Sequence, residues 1–373
     1  MRAKTGLGIG LAVLGLLSLA AAAILAWVVV PDRKVLPADT NTVRQFAGTA
    51  QVLLNPQALA GGDFRNALRT NVPVTAERTV KVLATDGNFA QVSDDRVLRA
   101  GGQPIGQTSA KYAVDRKSME VVTTGFPSDW PVDQAQGLTV TFPIGSEQKD
   151  YSGWVSDTQT TAPVTYEREE TRGGVNTYVY TSSVAAAPIK DPDVLANLPQ
   201  ALPLAVLAQL AAVLPLTDQQ KAGLAQAAPF LANPVPLSYT YEATSTFWVE
   251  PTTGIVVDVD RREIRKAGIG GPGGSVLASV AVYDVATKFT DQSVTAAVDE
   301  ANDKKSDLTL FGTTLPWILA GVGALLLVVG LVLALTGRSG RGGTPVTADT
   351  GTTQRMPPQP GQPPQQPMPP DSP

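Results

Sequence analysis

Polar and apolar positions divide the chain into two uncharged apolar stretches with a long polar segment between them. Leu7 to Val30 and Leu315 to Leu335 contain no charged residue, and residues 31–312 between them hold nearly all the charge. A helix rises ~1.5 Å per residue, so about 20 apolar residues match the ~30 Å hydrocarbon core of a bilayer. Each stretch is therefore read as a transmembrane helix, 7–30 and 315–335, with one large domain over 31–312 between them. A cleaved secretory signal has an apolar core of only about 7–15 residues before its small residues. Here Ile24, Leu25, Trp27 and Val28 carry the apolar run beyond Ala20 to Ala23, which predicts an uncleaved anchor. Gly6 and Gly10, one turn apart, would let a second helix approach closely.

Within the domain the apolar period shortens to two. Val72–Leu83, Phe89–Leu98, Lys111–Val122, Leu138–Phe142, Val164–Glu169 and Val175–Val184 are rich in Val, Thr and aromatic residues and read as strands. Tyr239–Val249, Gly254–Arg262 and Ser275–Phe289 add three more. Asp86-Gly87-Asn88, Arg172-Gly173-Gly174 and Pro251-Thr252-Thr253-Gly254 supply tight turns between consecutive runs. Strands joined by short turns pair antiparallel. One block breaks the pattern: 191–233 reads as a helical insertion, with Asp191-Pro192 as a helix start and Thr217 to Gln220 as a capping box. Leu195 to Leu216 is almost wholly apolar, but Pro199, Pro203, Pro215, Asn197, Gln200 and Gln209 are costly in lipid, so rather than a third span it is read as a helix pair that packs on the domain or, alternatively, presents apolar surface to a lipid or the membrane. A helical composition over Ser293–Lys305 leads into the second span. The expected fold is thus a membrane-anchored α+β chain, a β-rich and mainly antiparallel domain with a helical insertion, flanked by transmembrane helices.

Charge orients this object. Arg2 and Lys4 precede the first span and Arg338 and Arg341 follow the second, against Arg33 and Lys34 on the other side. The positive-inside rule then places residues 1–6 and the tail 338–373 in the cytoplasm and the domain outside. The tail is Pro-, Gln- and Thr-rich and is expected to be disordered. The chain has no histidine and no cysteine, which excludes Ser-His-Asp and Cys-His catalysis and the commonest transition-metal ligands. The charges outside 31–312 are Arg2, Lys4, Arg338, Arg341 and Arg355 against Asp349 and Asp371, so the domain is more acidic than the whole chain at −4. An acidic domain argues against nucleic acid as a partner.

Three stretches resemble a known family. Tyr112-Ala-Val-Asp-Arg, Thr141-Phe-Pro-Ile-Gly followed by Tyr151 and Trp154, and Thr246-Phe-Trp-Val-Glu-Pro-Thr-Thr-Gly254 are similar to the actinobacterial membrane proteins labelled the porin PorA family. The resemblance runs from the first span to the second. It implies a two-pass cell-envelope protein with a large extracytoplasmic domain, whose relatives are associated with lipoglycan maturation and with mycolate glycolipid trafficking beside a lipid exporter. No catalytic signature and no cofactor come with it. A strand-walled pore is not expected, because the chain already carries two helical spans and its strands lack a lipid-facing pattern.

Candidate chemistry is sparse. Asp258 and Asp260 fall on one face of a regular strand, but beside Arg261 and Arg262 they read as a solvated face rather than a cation site. Asp94 and Asp95 would point to opposite faces. Gly268 to Gly274 lies between strands and lacks the helix and lysine of a phosphate loop, so it reads as a hairpin loop. Trp154, Phe247 and Trp248 read as core or rim aromatics. The expected function is non-enzymatic: binding, transferring or sensing a lipid or glycolipid, or supporting its export machinery. The lipid-binding candidates are Leu204, Leu207, Leu210, Leu214 and Trp248. The alternative is a structural or signalling scaffold that contacts other envelope proteins.

Overall fold

The computed structural model describes residues 2–30, 34–270 and 276–336. Arg33, the tip of the glycine-rich hairpin, Arg338, Arg341 and the Pro-rich tail lie outside the described residues. The chain divides into two compact units, one of residues 1–16 with 324–373 and the other of residues 17–323.

The first unit contains the outer parts of two apolar helices, α1 (Arg2–Ile24, continued by a π-type turn Leu25–Val29) and, at the other end of the chain, Leu315–Thr336. Both are long and apolar enough to cross a membrane. Within this unit the backbones come into contact at glycines: a Cβ on Gly8 would stand 2.7 Å from the Gly330 carbonyl, and one on Gly330 only 2.4 Å from the Ala12 nitrogen. Gly6 and Gly10 have open space around them, so the close approach is made by the glycine between the expected pair.

The second unit is built on an eleven-stranded antiparallel sheet. Its strands are β1 (Asn41–Leu54), β2 (Leu68–Asp86), β3 (Phe89–Ala100), β4 (Gln103–Asp115), β5 (Tyr151–Val155), β6 (Thr160–Arg172), β7 (Val175–Pro188), the two-residue β8 (Ala201–Leu202), β9 (Val235–Glu250), β10 (Ile255–Gly270) and β11 (Val276–Phe289). The order is β4-β3-β2-β1-β11-β10-β9-β7-β6-β5, with β8 added on β9. Three meanders are therefore joined, and the first and last long strands lie side by side with Phe46 opposite Phe289. The expected turns are present. Gly87 has φ +53°, Gly173 and Gly174 have φ +58° and +86° in a two-residue hairpin, and Gly254 has φ +72°.

The sheet curls into a half-barrel, and residues 116–150 cross its open side as a strap. Met119, Leu138, Val140 and Phe142 of the strap share one core with Val92 of β3, Val114 of β4, Val164 of β6 and Tyr180 of β7. Phe142 stacks on Tyr180 at 4.8 Å and meets Phe247 edge-on at 5.8 Å. The period-two pattern of Leu138–Phe142 is thus a true burial pattern, yet it makes only isolated bridges, with Leu138 pairing Glu120 and Gly153. Lys111–Val122 likewise ends as a strand at Asp115, because Met119 at φ +60° turns the chain back.

The insertion contains three helices, not two: α2 after β1 is Pro56–Ala60, and the insertion itself holds α3 (Pro192–Ala196), α4 (Leu204–Val213) and α5 (Asp218–Ala227). Asp191 caps α3 by accepting from the nitrogens of Asp193 and Val194, and Thr217 with Gln220 forms the complete capping box of α5. Thr217→Ala is expected to lower stability by about 1 kcal/mol, seen as a small fall in the thermal midpoint of the full chain. After β11, α6 (Asp291–Thr309) passes through a π-type turn, Leu310–Thr314, into α7 (Leu315–Thr336).

Candidate functional site

The concave face of the sheet and the strap enclose a cavity of about 300 Å³. One part of its wall is apolar. Val80, Leu138, Val140, Phe142, Trp154, Val164 and Phe247 come from β2, the strap, β5, β6 and β9. The other part is cationic, with Arg44 on β1, Arg78 on β2, Arg96 on β3, Arg261 on β10 and Lys304 on α6. Four arginines of an acidic domain thus meet around this space, with Glu77, Glu263 and Glu300 among them.

Register explains how. Arg44 lies directly opposite Arg78, and Arg78 directly opposite Arg96, so three like charges sit side by side across three strands. Opposed like charges destabilise a sheet unless neutralised. Asp94, next to Arg78 and Arg96 and almost wholly buried, does this: Arg78 Nε and Nη2 donate to its two oxygens at 2.8 and 2.9 Å, and Arg96 Nη2 donates at 2.8 Å. Burial would raise the Asp94 pKa, but the two guanidinium groups outweigh it and hold the carboxyl well below the usual range. Arg78 also donates to the Thr139 carbonyl at 3.1 Å, which ties the strap to β2.

Arg44 is matched from α6, where Glu300 lies 2.6 Å away. The same helix packs Ala297 and Ala301 on Ile255, and Lys305 reaches the buried Glu250 at 3.2 Å. On β10, Arg261 pairs with Glu263 at 2.9 Å, and the Tyr241 hydroxyl donates to Glu263 at 2.8 Å while accepting from Arg261 at 3.1 Å. For Glu263, burial acts to raise the pKa, and the neighbouring Arg261 and Arg265 overcome it, leaving the carboxyl below its ordinary value. The side chain of Arg261 sits deep among these groups, yet 29% of it is open to the cavity.

The leucines singled out from sequence lie elsewhere. Leu207 and Leu210 are buried, and Leu207 with Leu204 and Leu214 packs against Leu224, Val235, Ile269 and Ala278. The void there is about 20 Å³, lined by Leu207 and Leu214, too small for an acyl chain. Trp248 also lies off the large cavity: Arg172 covers its ring at 4.8 Å and its Nε1 donates to Glu170 at 3.1 Å. Its neighbour Phe247 and the expected rim aromatic Trp154 do line the cavity. Asp258 and Asp260 lie in regular register just after a bulge between Val256 and Asp258 on β10, yet they do not share an environment. Asp258 is buried and bound by Arg172 Nε at 2.8 Å, whereas Asp260 is exposed. Asp94 and Asp95 do part company, the first buried and the second not. Among the described residues no group of three or more acidic residues is placed to hold a metal ion. The arginine belt had a faint sequence signal, an arginine in each of several adjoining amphipathic strands, but only the register brings them together.

A family model described as Porin PorA matches residues 7–332 of the chain. A curated relative described as Porin PorA, from Corynebacterium resistens, is 24% identical over 405 aligned positions, which cover 88% of this chain and 96% of the relative. Among solved structures, an acyl-CoA thioesterase II from Mycobacterium marinum is 12% identical, with 67% of this chain and 81% of the other covered and a TM-score of 0.12. A conserved protein of unknown function with a hot dog fold from Alicyclobacillus acidocaldarius is also 12% identical, with 68% and 79% covered and a TM-score of 0.12. Likenesses this slight carry no argument about fold or function.

Proposed function

The chain belongs to the Porin PorA family and so to the membrane proteins of the cell envelope, and we propose that it is a non-enzymatic, two-pass protein whose external domain binds a lipid or glycolipid in the cavity of its half-barrel and passes it on or reports its presence. In this reading both termini are cytoplasmic, the partners are membrane lipids or glycolipids and the envelope machinery that exports them, and no cofactor takes part. The observation that carries it is the 300 Å³ cavity, apolar on one side and cationic on the other, at the lower end of the size range for small-molecule sites. Such a site would hold one chain or the head of an amphiphile, with affinity drawn from buried apolar area and a few polar anchors.

Conduction through strands draws less support. The strand order runs from β4 to β5 without closing on itself, the strap crosses the interior, and a membrane pore needs a closed barrel. Native mass spectrometry of the full chain in neutral detergent, followed by solvent extraction, tests the proposal. A co-purifying lipid is expected. Ser245 faces the cavity from β9, and Ser245→Phe is expected to fill it and reduce the bound fraction about tenfold with little loss of stability. A clean unliganded mass that persists after incubation with envelope lipids would sink the reading.

A further inference from the structure

Three guanidinium groups in the cavity wall share two carboxylates. Arg78 and Arg96 both pair with Asp94, and Arg261 pairs with Glu263. Arg96 feels the charges of both Arg261 and Glu263, so the two ion-paired sets form one electrostatic group. The group carries one more positive charge than its carboxylates, and Glu77, which also lines the cavity, makes no ion pair with it among the described residues. The hydrogen bonds leave donors over as well. Arg78 and Arg96 spend Nε and Nη2 on Asp94, and Arg261 spends Nη2 on Tyr241 and Glu263. The Nη1 group of each makes no hydrogen bond within the described residues. Two further polar atoms of cavity-lining residues are covered and lack a partner: Nε of Arg261 and Oγ1 of Thr139. Thr139 is next to Arg78, which donates to its carbonyl.

A network that served only to hold strands together would leave no covered donor idle, because a buried unmade hydrogen bond is costly, yet Nε of Arg261 and Oγ1 of Thr139 are both idle. Partly exposed guanidinium groups with free Nη1 donors also border a cavity much of whose remaining wall is apolar. Guanidinium groups present paired N–H donors that fit planar carboxylates and the oxygen edges of phosphates. We propose that Arg78, Arg96 and Arg261, with Thr139, form an oxyanion subsite. It takes a phosphoryl or carboxylate group, and the apolar part of the same ligand lies against Val80, Val140 and Phe247. This rests on the amphiphile reading above and narrows it: the ligand is an anionic lipid, and zwitterionic or uncharged lipids of equal chain length bind less well.

The test uses the full chain in neutral detergent, offered equal amounts of dioleoyl phosphatidylglycerol and dioleoyl phosphatidylcholine and read by native mass spectrometry. The anionic lipid is expected to be retained about tenfold or more over the zwitterionic one, because the choline cation of the latter is repelled by the guanidinium groups and offsets the charge of its own phosphate. Arg261→Met is expected to abolish that preference. Thr139→Val adds a variant that breaks no ion pair. A hydroxyl without a role would be replaced at no cost to binding, whereas a ligating one loses about threefold or more in phosphatidylglycerol retention. A second arm adds inorganic phosphate alone and follows the melting temperature. Equal retention of the two lipids by the wild type, or a preference that survives both substitutions, overturns the subsite and leaves the cavity reading standing. Retention of neither lipid removes the amphiphile reading. The subsite then stands as a site for a free oxyanion if phosphate raises the melting temperature and Arg261→Met abolishes the rise, and falls if it does not.

Discussion

Gly254→Ala is expected to destabilise the domain by about 3–5 kcal/mol, read as a large fall in the melting temperature of the full chain and a loss of any retained lipid. Gly254 has φ +72°, a conformation that costs an alanine about 1–2 kcal/mol by itself. Space adds the larger part. A Cβ there would lie 2.5 Å from the carbonyl oxygens of both Phe142 and Pro143, backbone atoms of the strap that have nowhere to go. The turn between β9 and β10 is also where the strap is fastened. Gly145 and Ser146 donate to the carbonyls of Thr252 and Pro251 at 3.2 and 2.8 Å, and the Thr141 hydroxyl donates to the Gly254 carbonyl at 3.1 Å. Pushing the turn away therefore loosens Phe142 from Tyr180 and opens the cavity wall. A change of less than about 1 kcal/mol would show that the strap is held elsewhere.

Asp94→Ala is expected to cost a similar amount, about 3–5 kcal/mol, because it leaves Arg78 and Arg96 facing each other with their shared carboxylate gone. The pH dependence follows from the sign of the shift. The folded pKa of Asp94 is depressed, so its contribution is complete above the unfolded carboxylate value of about 3.9 and is lost as pH falls toward the folded pKa. Melting temperatures of wild type and Asp94→Asn, measured from pH 6 downward, should therefore keep a constant gap until about pH 4 and converge below it. Asp157 works with the opposite sign, since burial raises its pKa in spite of Arg265, but it is present in both proteins and cancels in the difference. A gap that narrows already between pH 6 and 5 would contradict the assignment.

The elements were legible where local chemistry decides them. Val72–Leu83 lies inside β2, Val175–Val184 inside β7 and Tyr239–Val249 inside β9, and the caps at Asp191 and Thr217 are made by the atoms that their residue types predict. Two strands carried too little signal. β1 carries Gln45, Thr49 and Gln51 on one face and Thr42 and Arg44 on the other, where the latter border the cavity rather than a packed core. β5 has only five residues. The site was not legible, for a physical reason. A run of leucines such as Leu204 to Leu214 announces burial, and burial is what it achieves against Ile269 and Ala278. A ligand cavity is made by what is left unfilled, and that depends on register. Arg44, Arg78 and Arg96 are scattered over more than fifty positions of sequence and become neighbours only when β1, β2 and β3 align. Asp258 and Asp260 keep their alternation, yet Asp258 is buried under Arg172 and only Asp260 stays on a solvated face.

The pairing of Phe46 with Phe289 has a consequence for how the chain must be made. The seam between β1 and β11 joins the first long strand to leave the ribosome with the last, so synthesis of all three meanders is finished before the sheet can be sealed. Until then the early meander presents β1 as an unpaired edge, the kind of surface on which strands of other chains aggregate. Contacts so distant in sequence also slow the final step. Domains of this topology are thus exposed to aggregation until synthesis is complete, and the wall of the half-barrel becomes continuous only in the last moments of its own assembly.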